Sequence, residues 1–436
     1  MPIRNLLFIG LATLISLACY SIAAKNRYAS IFSEAMDIVQ SEALVHKTER
    51  ELFDAAMNGM LGILDENSGF VSHDQFETFN DDLNQQFVGV GMTVDRDEER
   101  NALRVISPIP GTPAYKAGLR VDDRILEIDG ATTRDLSQQE AIKRIRGPRG
   151  DSVVFLVERE DVDEPFEIEV VRDTIPVPSV YGDLRRPDGT WSFVLQDDPR
   201  IGYVRLMQFG KRSTDEVRDA IHSLDGKIDG FILDLRYNPG GLLEAAVKIS
   251  DMFIGREVPV VKTLRRDGTV VRTRFATSKT ELDPNIPVVV IVNEYSASAS
   301  EIVSACLQDH GRAKVVGAQT WGKGTVQDLI TLEPNRSVMR LTTASYWRPS
   351  GQNIDRTVTE LDKPDQYGVK PDPGFEVPLT ETEMGAIGRA RNERDQDVVE
   401  EGTTPNSDQA PWIETDLPLK RAVDHLHSLI NSRAAA

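Results

Sequence analysis

A serine at the start of a predicted helix is the first residue with a clear chemical use. The apolar strand pattern of 288–292 stops at Asn293, and a run of very small residues leads to Ser298 and then into a helical pattern. Free N–H groups and the helix dipole favour negative charge at a helix N-terminus. A nucleophilic serine needs that position, because preorganised N–H donors must meet the oxyanion of a tetrahedral intermediate. An ordinary capping box of Ser298 with Glu301 explains the same residues.

A serine nucleophile needs a base, and the candidates are histidine and lysine. None of the six histidines stands in a suggestive context, and the nearest, His310, is predicted to lie at a helix C-terminus. Lys323 lies between two glycines in a loop after an apolar strand, where Trp321 can cover its ammonium group and Gln327 can hold its amine. Lysine acts as a base only if burial or nearby charge lowers its pKa. A flexible surface lysine is the simpler alternative.

The lysine loop also matches part of a phosphate-binding motif. Residues 317–323 fit G-x-x-x-x-G-K, but position 324 is glycine where a P-loop carries the serine or threonine that binds magnesium. The following residues, 329–332, have a strand pattern, whereas a P-loop opens a helix. Nucleotide binding is therefore disfavoured.

A third candidate segment is 234–241, with the sequence D-L-R-Y-N-P-G-G. An apolar strand here meets a tight turn and then a helix. Gly240 and Gly241 permit backbone conformations and close approaches that other residues cannot adopt. Their N–H groups can complete an oxyanion hole with the N–H of Ala299, although an ordinary strand-to-helix turn accounts for the same pattern.

Hydrophobic patterns predict the elements that position these residues. Helical spacing covers 28–65, and short β-branched runs separated by Gly, Pro and Asp turns fill 87–172, with one helical piece at 138–145. Residues 200–350 alternate fully apolar strands with helices, which predicts an α/β core buried on both faces of its sheet. Residues 392–416 are acidic and poor in large apolar side chains, as is typical of a linker.

Length and composition limit the number of domains and the classes of function that the protein can have. The length of 436 residues predicts two or three domains at about 150 residues each. A net charge of −19 disfavours nucleic acid as the main partner, because such partners require a basic surface. The two cysteines, Cys19 and Cys306, cannot form a disulfide framework or a cysteine zinc site, and the histidines form no H-x-x-x-H pair. We therefore expect no metal.

The N-terminus has the pattern of an export signal. Arg4 precedes an almost wholly apolar run, Leu6–Ala24, which contains the small residues Ser21 and Ala23 and ends at Lys25. This pattern fits a secretory signal peptide, and a run of about 19 residues is also long enough for an uncleaved membrane anchor. We expect an exported protein, in the periplasm or on the outer face of the membrane.

Four short blocks follow one another in a specific order. They are 234–241 (D-L-R-Y-N-P-G-G), 296–302 (S-A-S-A-S-E-I), 322–327 (G-K-G-T-V-Q) and 346–351 (Y-W-R-P-S-G). Together they resemble the carboxyl-terminal processing peptidases (tail-specific proteases), a family of serine peptidases. The resemblance implies that Ser298 is the nucleophile, Lys323 the general base and Gln327 the residue that orients Lys323, without any cofactor. It also places Glu301 and Asp309 where some members have supporting polar residues.

Residues 87–172 resemble the PDZ domain that this family carries as an insertion. The matching segments are 87–92 (F-V-G-V-G-M), 110–119 (P-G-T-P-A-Y-K-A-G-L) and 122–130 (D-D-R-I-L-E-I-D-G). The resemblance implies that Gly89, Val90 and Gly91 form a carboxylate-binding loop and that an edge strand accepts a C-terminal tail as an extra strand. Arg146 is a candidate contact through which tail binding gates the catalytic cleft. A purely structural PDZ domain is the alternative.

The resemblance implies an α/β (α+β) fold: a crotonase-like ββα core with an inserted β-rich PDZ domain and helical N- and C-terminal segments. The expected organisation is a signal peptide or membrane anchor (1–24), an N-terminal helical region (25–86), the PDZ domain (87–172), the catalytic core (173–391), an acidic linker (392–416) and a C-terminal helix (417–436).

The expected function is an exported serine endopeptidase that cleaves proteins near their C-termini. Its expected partners are C-terminal tails of proteins and, through apolar stripes of the terminal helices, a second copy of the chain. Two alternatives stay open: a catalytically silent PDZ scaffold that binds tails, and a crotonase-like acyl-CoA enzyme. The complete set of Ser298, Lys323 and Gln327 argues against the first, and the export signal with the serine–lysine pair argues against the second.

Overall fold

The computed structural model describes residues 13, 16, 27–97, 100–186, 189–334, 336–357, 366–396 and 412–434. The chain divides into two compact units: Met1–Phe76 with Gln327–Thr342, and Glu77–Val326 with Thr343–Ala436. Apart from two residues, the predicted export segment Leu6–Ala24 lies outside the described residues. Among the residues that are described, no helix combines the length and apolar character needed to cross a membrane.

The first unit contains helices and a short strand from the N-terminal region. Its elements are α1 (Arg27–Glu42), α2 (Glu49–Gly62) and β1 (Gly69–Val71), which pairs antiparallel with residues 338–340. The predicted continuous helix over 28–65 is interrupted because Thr48 starts a new one: the Thr48 hydroxyl accepts the N–H of Glu51, whose carboxylate accepts the N–H of Thr48.

A β-rich region follows. Its elements are α3 (His73–Asn84), β2 (Gln86–Gly89), β3 (Met92–Asp97), β4 (Ala102–Pro108), α4 (Pro113–Lys116), β5 (Arg124–Ile128), β6 (Ala131–Thr132), α5 (Gln138–Ile145), β7 (Ser152–Glu158), β8 (Phe166–Val171) and β9 (Asp173–Pro176). The sheet order is β3-β4-β5-β7-β8, with β6 beside β5, so β3 is an edge strand. The helix predicted over 138–145 is confirmed as α5. Strands β2 and β9 pair antiparallel, and the chain enters and leaves this region through them.

The remaining elements include a mostly parallel sheet, which forms the core of the second unit. The elements are β10 (Val180–Tyr181), β11 (Leu184–Arg185), β12 (Trp191–Ser192), β13 (Ile201–Leu206), α6 (Ser213–Ser223), β14 (Gly230–Asp234), α7 (Leu243–Ile254), β15 (Pro259–Leu264), β16 (Val270–Phe275), β17 (Val288–Val292), α8 (Ala299–Asp309), β18 (Ala313–Gly317), β19 (Thr325–Glu333), β20 (Ser337–Trp347), α9 (Glu381–Gln396), α10 (Trp412–Thr415) and α11 (Leu417–Ala434).

The sheet order is β10-β13-β14-β17-β18, and the last four strands are parallel. Every residue of β13, β14 and β17 is buried, as expected of apolar strands covered on both faces. Helices α6, α7 and α8 pack on one face, and α9 and α11 pack on the other. Because parallel strands end at the same edge, the turns after β14 and β17 lie side by side. The fold therefore brings segment 234–241 to Ser298.

Both ends of the segment predicted to be a linker are helical. Helix α9 continues to Gln396 and α10 starts at Trp412, while residues 397–411 lie outside the described part of the chain. Charged residues that gave 392–416 its polar composition form ion pairs with the core: Arg394 with Asp183, and Asp395 with Arg205.

Candidate active site

Ser298 lies in a sharp turn between β17 and α8. Its backbone φ of 56° is in the left-handed region, which a residue with a side chain seldom occupies. The residue is 6% exposed, and its Oγ is 3.0 Å from Oη of Tyr346. Strain of about 1–3 kcal/mol at such a turn persists only where the surroundings hold it. Here the N–H of Ile302 donates to the carbonyl of Ser298 at 3.0 Å.

The buried carboxyl group of Glu301 connects the Ser298 turn to the lysine loop. Its Oε2 accepts the N–H of Ser298 at 2.7 Å and the N–H of Lys323 at 2.8 Å. Its Oε1 accepts the hydroxyl of Thr320 at 2.5 Å and the N–H of Gly322 at 2.7 Å. Burial raises the pKa of Glu301 to about 7, although all four donors favour the ionised form. The predicted contact between Glu301 and the N–H of Ser298 is therefore present, and the same carboxyl group also binds the lysine loop.

The lysine loop runs between the Ser298 turn and β20. The N–H of Trp321 donates to the carbonyl of Ser296 at 3.0 Å, and the N–H of Tyr346 donates to the carbonyl of Gly324 at 2.7 Å. A Cβ at Gly324 would lie 2.3 Å from the backbone nitrogen of Asp355, so only glycine fits there. Lys323 is half-buried, and the Trp321 side chain is 45% exposed, so the apolar cover expected from it is partial.

The turn after β14 lies directly against Ser298. The carbonyl of Asn238 accepts the N–H of Ala297 at 3.0 Å and the hydroxyl of Ser300 at 2.9 Å. Gly240 has a φ of +100°, and a Cβ there would lie 2.7 Å from Cβ of Ser298 and 2.9 Å from the amide nitrogen of Ala299. The N–H of Gly240 itself donates to Oδ1 of Asn238 at 2.9 Å. Ala299, the first residue of α8, has an N–H with no intrahelical acceptor.

A buried cluster of charged side chains stabilises the turn after β14. Arg236 donates to both oxygens of Asp234 and, at 2.8 Å each, to both oxygens of Asp416. Although burial raises the pKa of Asp234, the Arg236 guanidinium holds it below its ordinary value. Within the described ranges, no group of three or more His, Cys, Asp or Glu residues is arranged to hold a metal ion.

Comparison with known proteins identifies the family. Residues 200–373 match the model of Peptidase family S41, and residues 104–159 match that of the PDZ domain. The chain is 34% identical over 385 residues to a carboxy-terminal-processing protease of Bartonella bacilliformis, covering 85% of this chain and 83% of that protein. This chain belongs to the carboxy-terminal-processing proteases.

Other members of the family are similar over much of their length. A carboxyl-terminal-processing protease of Picosynechococcus sp. is 35% identical over 312 residues, which is 71% of this chain and 72% of that protein. Among solved structures, a photosystem II D1 C-terminal processing protease matches at 23% identity with a TM-score of 0.43, covering 79% of this chain and 92% of that chain. The family models and the curated relatives make this processing protease a serine peptidase with a PDZ domain, as the resemblance predicted.

In this processing protease, the predicted carboxylate-binding loop of the PDZ domain comprises the last residue of β2 and the two residues before the edge strand β3. Val90 is buried, and its carbonyl accepts the N–H of Ala114 at 2.8 Å. The next carbonyl, that of Gly91, accepts the hydroxyl of Thr112 at 2.8 Å, while Gly89 ends β2. Arg146 follows α5, and its guanidinium lies 5.4 Å from the ring centre of Phe87. The predicted roles of these residues stay predictions.

Other predicted site residues are placed as follows. Gln327 belongs to the first unit, where its Nε2 donates to Oγ1 of Thr342 at 3.3 Å, and its role toward Lys323 stays a prediction. His310 follows the 11-residue α8, about 18 Å along the helix from Ser298, and its Nε2 lies 2.8 Å from the carbonyl oxygen of Pro259. Asp309 pairs with Arg348 at that same far end of α8.

The buried thiol of Cys306 has its pKa raised to about 12 by burial, which makes it inert.

Two residues at the site carried no individual prediction. In the sequence, Tyr346 stands out only as the first residue of the block 346–351. The one pattern that indicates its position is that of the strand, which places it on the buried side of β20. Asp416 was assigned to the linker, 180 positions after Arg236. A buried ion pair between such distant residues leaves no local pattern in the sequence.

Proposed function

We propose that this protein is an exported serine endopeptidase that cleaves proteins near their C-termini, with Ser298 as the nucleophile and Lys323 as the general base. One observation carries the proposal: the backbone N–H groups of Ser298 and Lys323 donate to the same oxygen of Glu301. The two residues are therefore close neighbours, well within the length of a lysine side chain. No histidine has such a relation to Ser298 among the described residues.

The reaction proceeds in two acyl-transfer steps. Neutral Lys323 takes the proton from Oγ of Ser298, which attacks the scissile carbonyl and forms an acyl-enzyme. The amide of Ala299, with that of Gly241, stabilises the oxyanion, and one such donor contributes about 3 kcal/mol. The N–H of Gly240, the other predicted donor, is engaged by Oδ1 of Asn238. Water then hydrolyses the ester with Lys323 again as base, and Gln327 orients the lysine amine.

Substrate tails bind to the PDZ domain. The edge position of β3 supports addition of a tail as a further strand, with its carboxylate held by the loop of Gly89, Val90 and Gly91. The names of the relatives support C-terminal tails as the substrate class.

Export and self-association complete the proposal. The apolar run Leu6–Ala24 supports export to the periplasm or anchoring at the outer face of the membrane. Helix α1 buries none of its residues and exposes an apolar set, which supports a homodimer: Tyr28, Ile31, Phe32, Ile38 and Val39.

The proposal is tested by incubating a tailed protein substrate with variants and identifying the products by mass spectrometry. Ser298→Ala and Lys323→Ala each lower turnover by about a thousandfold or more, because each removes one partner of the proton transfer. Ser304→Ala is the matched control, since it removes another buried serine hydroxyl of α8, one that donates to the carbonyl of Ser300. Full cleavage by Ser298→Ala refutes the assignment, and tail binding without cleavage by the native protein indicates a scaffold.

A further inference from the structure

The hydroxyl of Tyr346 contacts the hydroxyl of the proposed nucleophile. Its Oη lies 3.0 Å from Oγ of Ser298, and the residue is 4% exposed. Its backbone is fixed on both sides, because its N–H donates to Gly324 beside Lys323 and it pairs with Thr263 across β15 and β20. The phenol is therefore aimed at the reacting oxygen by the same strand that holds the lysine loop.

We propose that Tyr346 is a catalytic hydrogen-bond donor to the oxygen of Ser298, a role that rests on the function proposed above for Ser298 and Lys323. With the phenol as donor, the hydroxyl proton of Ser298 is left to point at the lysine amine. If Ser298 instead donated to Tyr346, its proton would not be available to the base. The donor role therefore selects the serine rotamer from which the proton can be transferred.

The phenol keeps its proton under working conditions. Burial raises the pKa of Tyr346 to about 12, and the nearby Glu301 carboxyl adds to the shift in the same direction, while the bond to Ser298 opposes it. A neutral donor at this place costs no buried charge.

Each step of the reaction conserves its protons. In acylation the Ser298 proton moves to Lys323 and then to the leaving amine as the C–N bond breaks, and Tyr346 keeps its own proton. In deacylation water gives a proton to Lys323 and attacks the ester carbon. When the C–Oγ bond breaks, Tyr346 stabilises the departing serine oxygen until Lys323 returns the proton to it.

The first test replaces Tyr346 with phenylalanine, which removes only the hydroxyl. Tyr346→Phe is expected to lower kcat about 10- to 100-fold with KM nearly unchanged, since the lost hydrogen bond acts on the reacting oxygen. The rate of inactivation by a fluorophosphonate, which reacts at the same oxygen, falls by a similar factor. Thr263→Val is the matched control: it removes the neighbouring buried hydroxyl, which donates to the carbonyl of Arg272, and keeps full activity.

A second variant decides the question even if Tyr346→Phe fails to fold. Site-specific 3,5-difluorotyrosine at position 346 keeps the shape and the hydroxyl but is a stronger acid. It is expected to move the alkaline loss of kcat/KM to lower pH, because the ionised phenol no longer donates.

The outcomes separate this inference from the proposed function. An unmoved alkaline limb, or equal losses in Tyr346→Phe and Thr263→Val, overturns the donor role while Ser298→Ala remains inactive. Activity of Ser298→Ala overturns the proposed function itself.

Discussion

At the scale of single residues, the carboxyl group of Glu301 is the centre of the site. Four donors converge on its two oxygens: the hydroxyl of Thr320 and the backbone N–H groups of Gly322, Lys323 and Ser298. A carboxylate satisfies all four with its two oxygens, whereas a glutamine side chain in its place has only one acceptor oxygen. The geometry of Ser298 relative to the lysine loop therefore depends on one buried acid.

Glu301→Gln is expected to uncouple the two segments. In either orientation of the glutamine amide, its NH2 group faces at least one backbone N–H group, so two donors oppose each other without an acceptor. We expect a loss of about 2–3 kcal/mol in the free energy of unfolding and at least a tenfold loss of kcat/KM, measured by urea titration and peptide cleavage. Asp309→Asn, which breaks the ion pair with Arg348 at the far end of α8, is the control that retains activity.

The pH dependence of stability gives the same variant a second readout. Because burial raises the pKa of Glu301 from 4.5 to about 7, the folded state holds this proton more tightly than the unfolded state. Its contribution to stability is complete below about pH 4.5 and is lost as the pH rises through about 7. The stability of the native protein relative to Glu301→Gln should therefore fall between these values. A constant difference would contradict a buried carboxyl that binds a proton on folding.

At the scale of elements, the C-terminal helix α11 reaches the turn beside Ser298. Asp416 lies just before α11, accepts the N–H of Leu419 at 3.1 Å as its N-cap, and is fully buried against Arg236. One residue after Arg236, the N–H of Tyr237 donates to Oδ1 of Asn293 at 2.9 Å. The end of β14, the end of β17 and the start of α11 are thus joined by one cluster of polar contacts.

Asp416→Asn is expected to disturb the turn without removing the helix cap. Asparagine is a good N-cap, but it leaves the buried charge of Arg236 with one carboxylate instead of two. We expect about 3 kcal/mol of destabilisation and a drop in kcat larger than any change in KM, measured well below the melting temperature.

The matched control is Asp183→Asn. Asp183 is 1% exposed and pairs with Arg391 and Arg394 of α9. It should lose similar stability and keep its kcat. Equal losses of kcat in both variants would show that Asp416 contributes only to general stability.

Local patterns predicted the alternation of buried strands and helices in the core but could not predict this cluster. The run Val288–Val292 is fully apolar and β-branched, so its strand was predicted with the observed bounds. Helix α9 was not predicted, and its last residues were assigned to the linker, because the partners of its charged side chains lie far away in the sequence. Motif blocks singled out Ser298, Lys323 and the glycine turn, whose catalytic roles stay predictions. Glu301 was predicted only as a capping or supporting residue, and Tyr346 had no assigned role.

At the scale of the whole molecule, the PDZ region joins the core through the paired strands β2 and β9. Arg146 lies over Phe87 of β2, and both line a cavity whose other wall includes Tyr181 and Met207 of the core. A shift of β2 on tail binding would change this cavity. We therefore propose that Arg146 transmits tail occupancy from the PDZ domain to the core.

Arg146→Ala is expected to lower the ratio of cleavage rates for tailed and tail-less versions of one substrate by several-fold. The cause is loss of the cation–π contact, which contributes about 1 kcal/mol. Arg149→Ala is the matched control, because Arg149 is exposed and pairs with Asp173 outside this cavity. An unchanged ratio in Arg146→Ala would rule out the gating role.

The central claim is that a neutral Lys323 activates Ser298, and covalent labelling tests it most directly. The native protein is treated with a fluorophosphonate across a pH series, and the labelled peptide is identified by mass spectrometry. We predict a label on Ser298 at a rate that rises with pH and that Lys323→Ala largely abolishes. A label on Ser296 or Ser300, or a rate that does not change when Lys323 is replaced, would contradict the account.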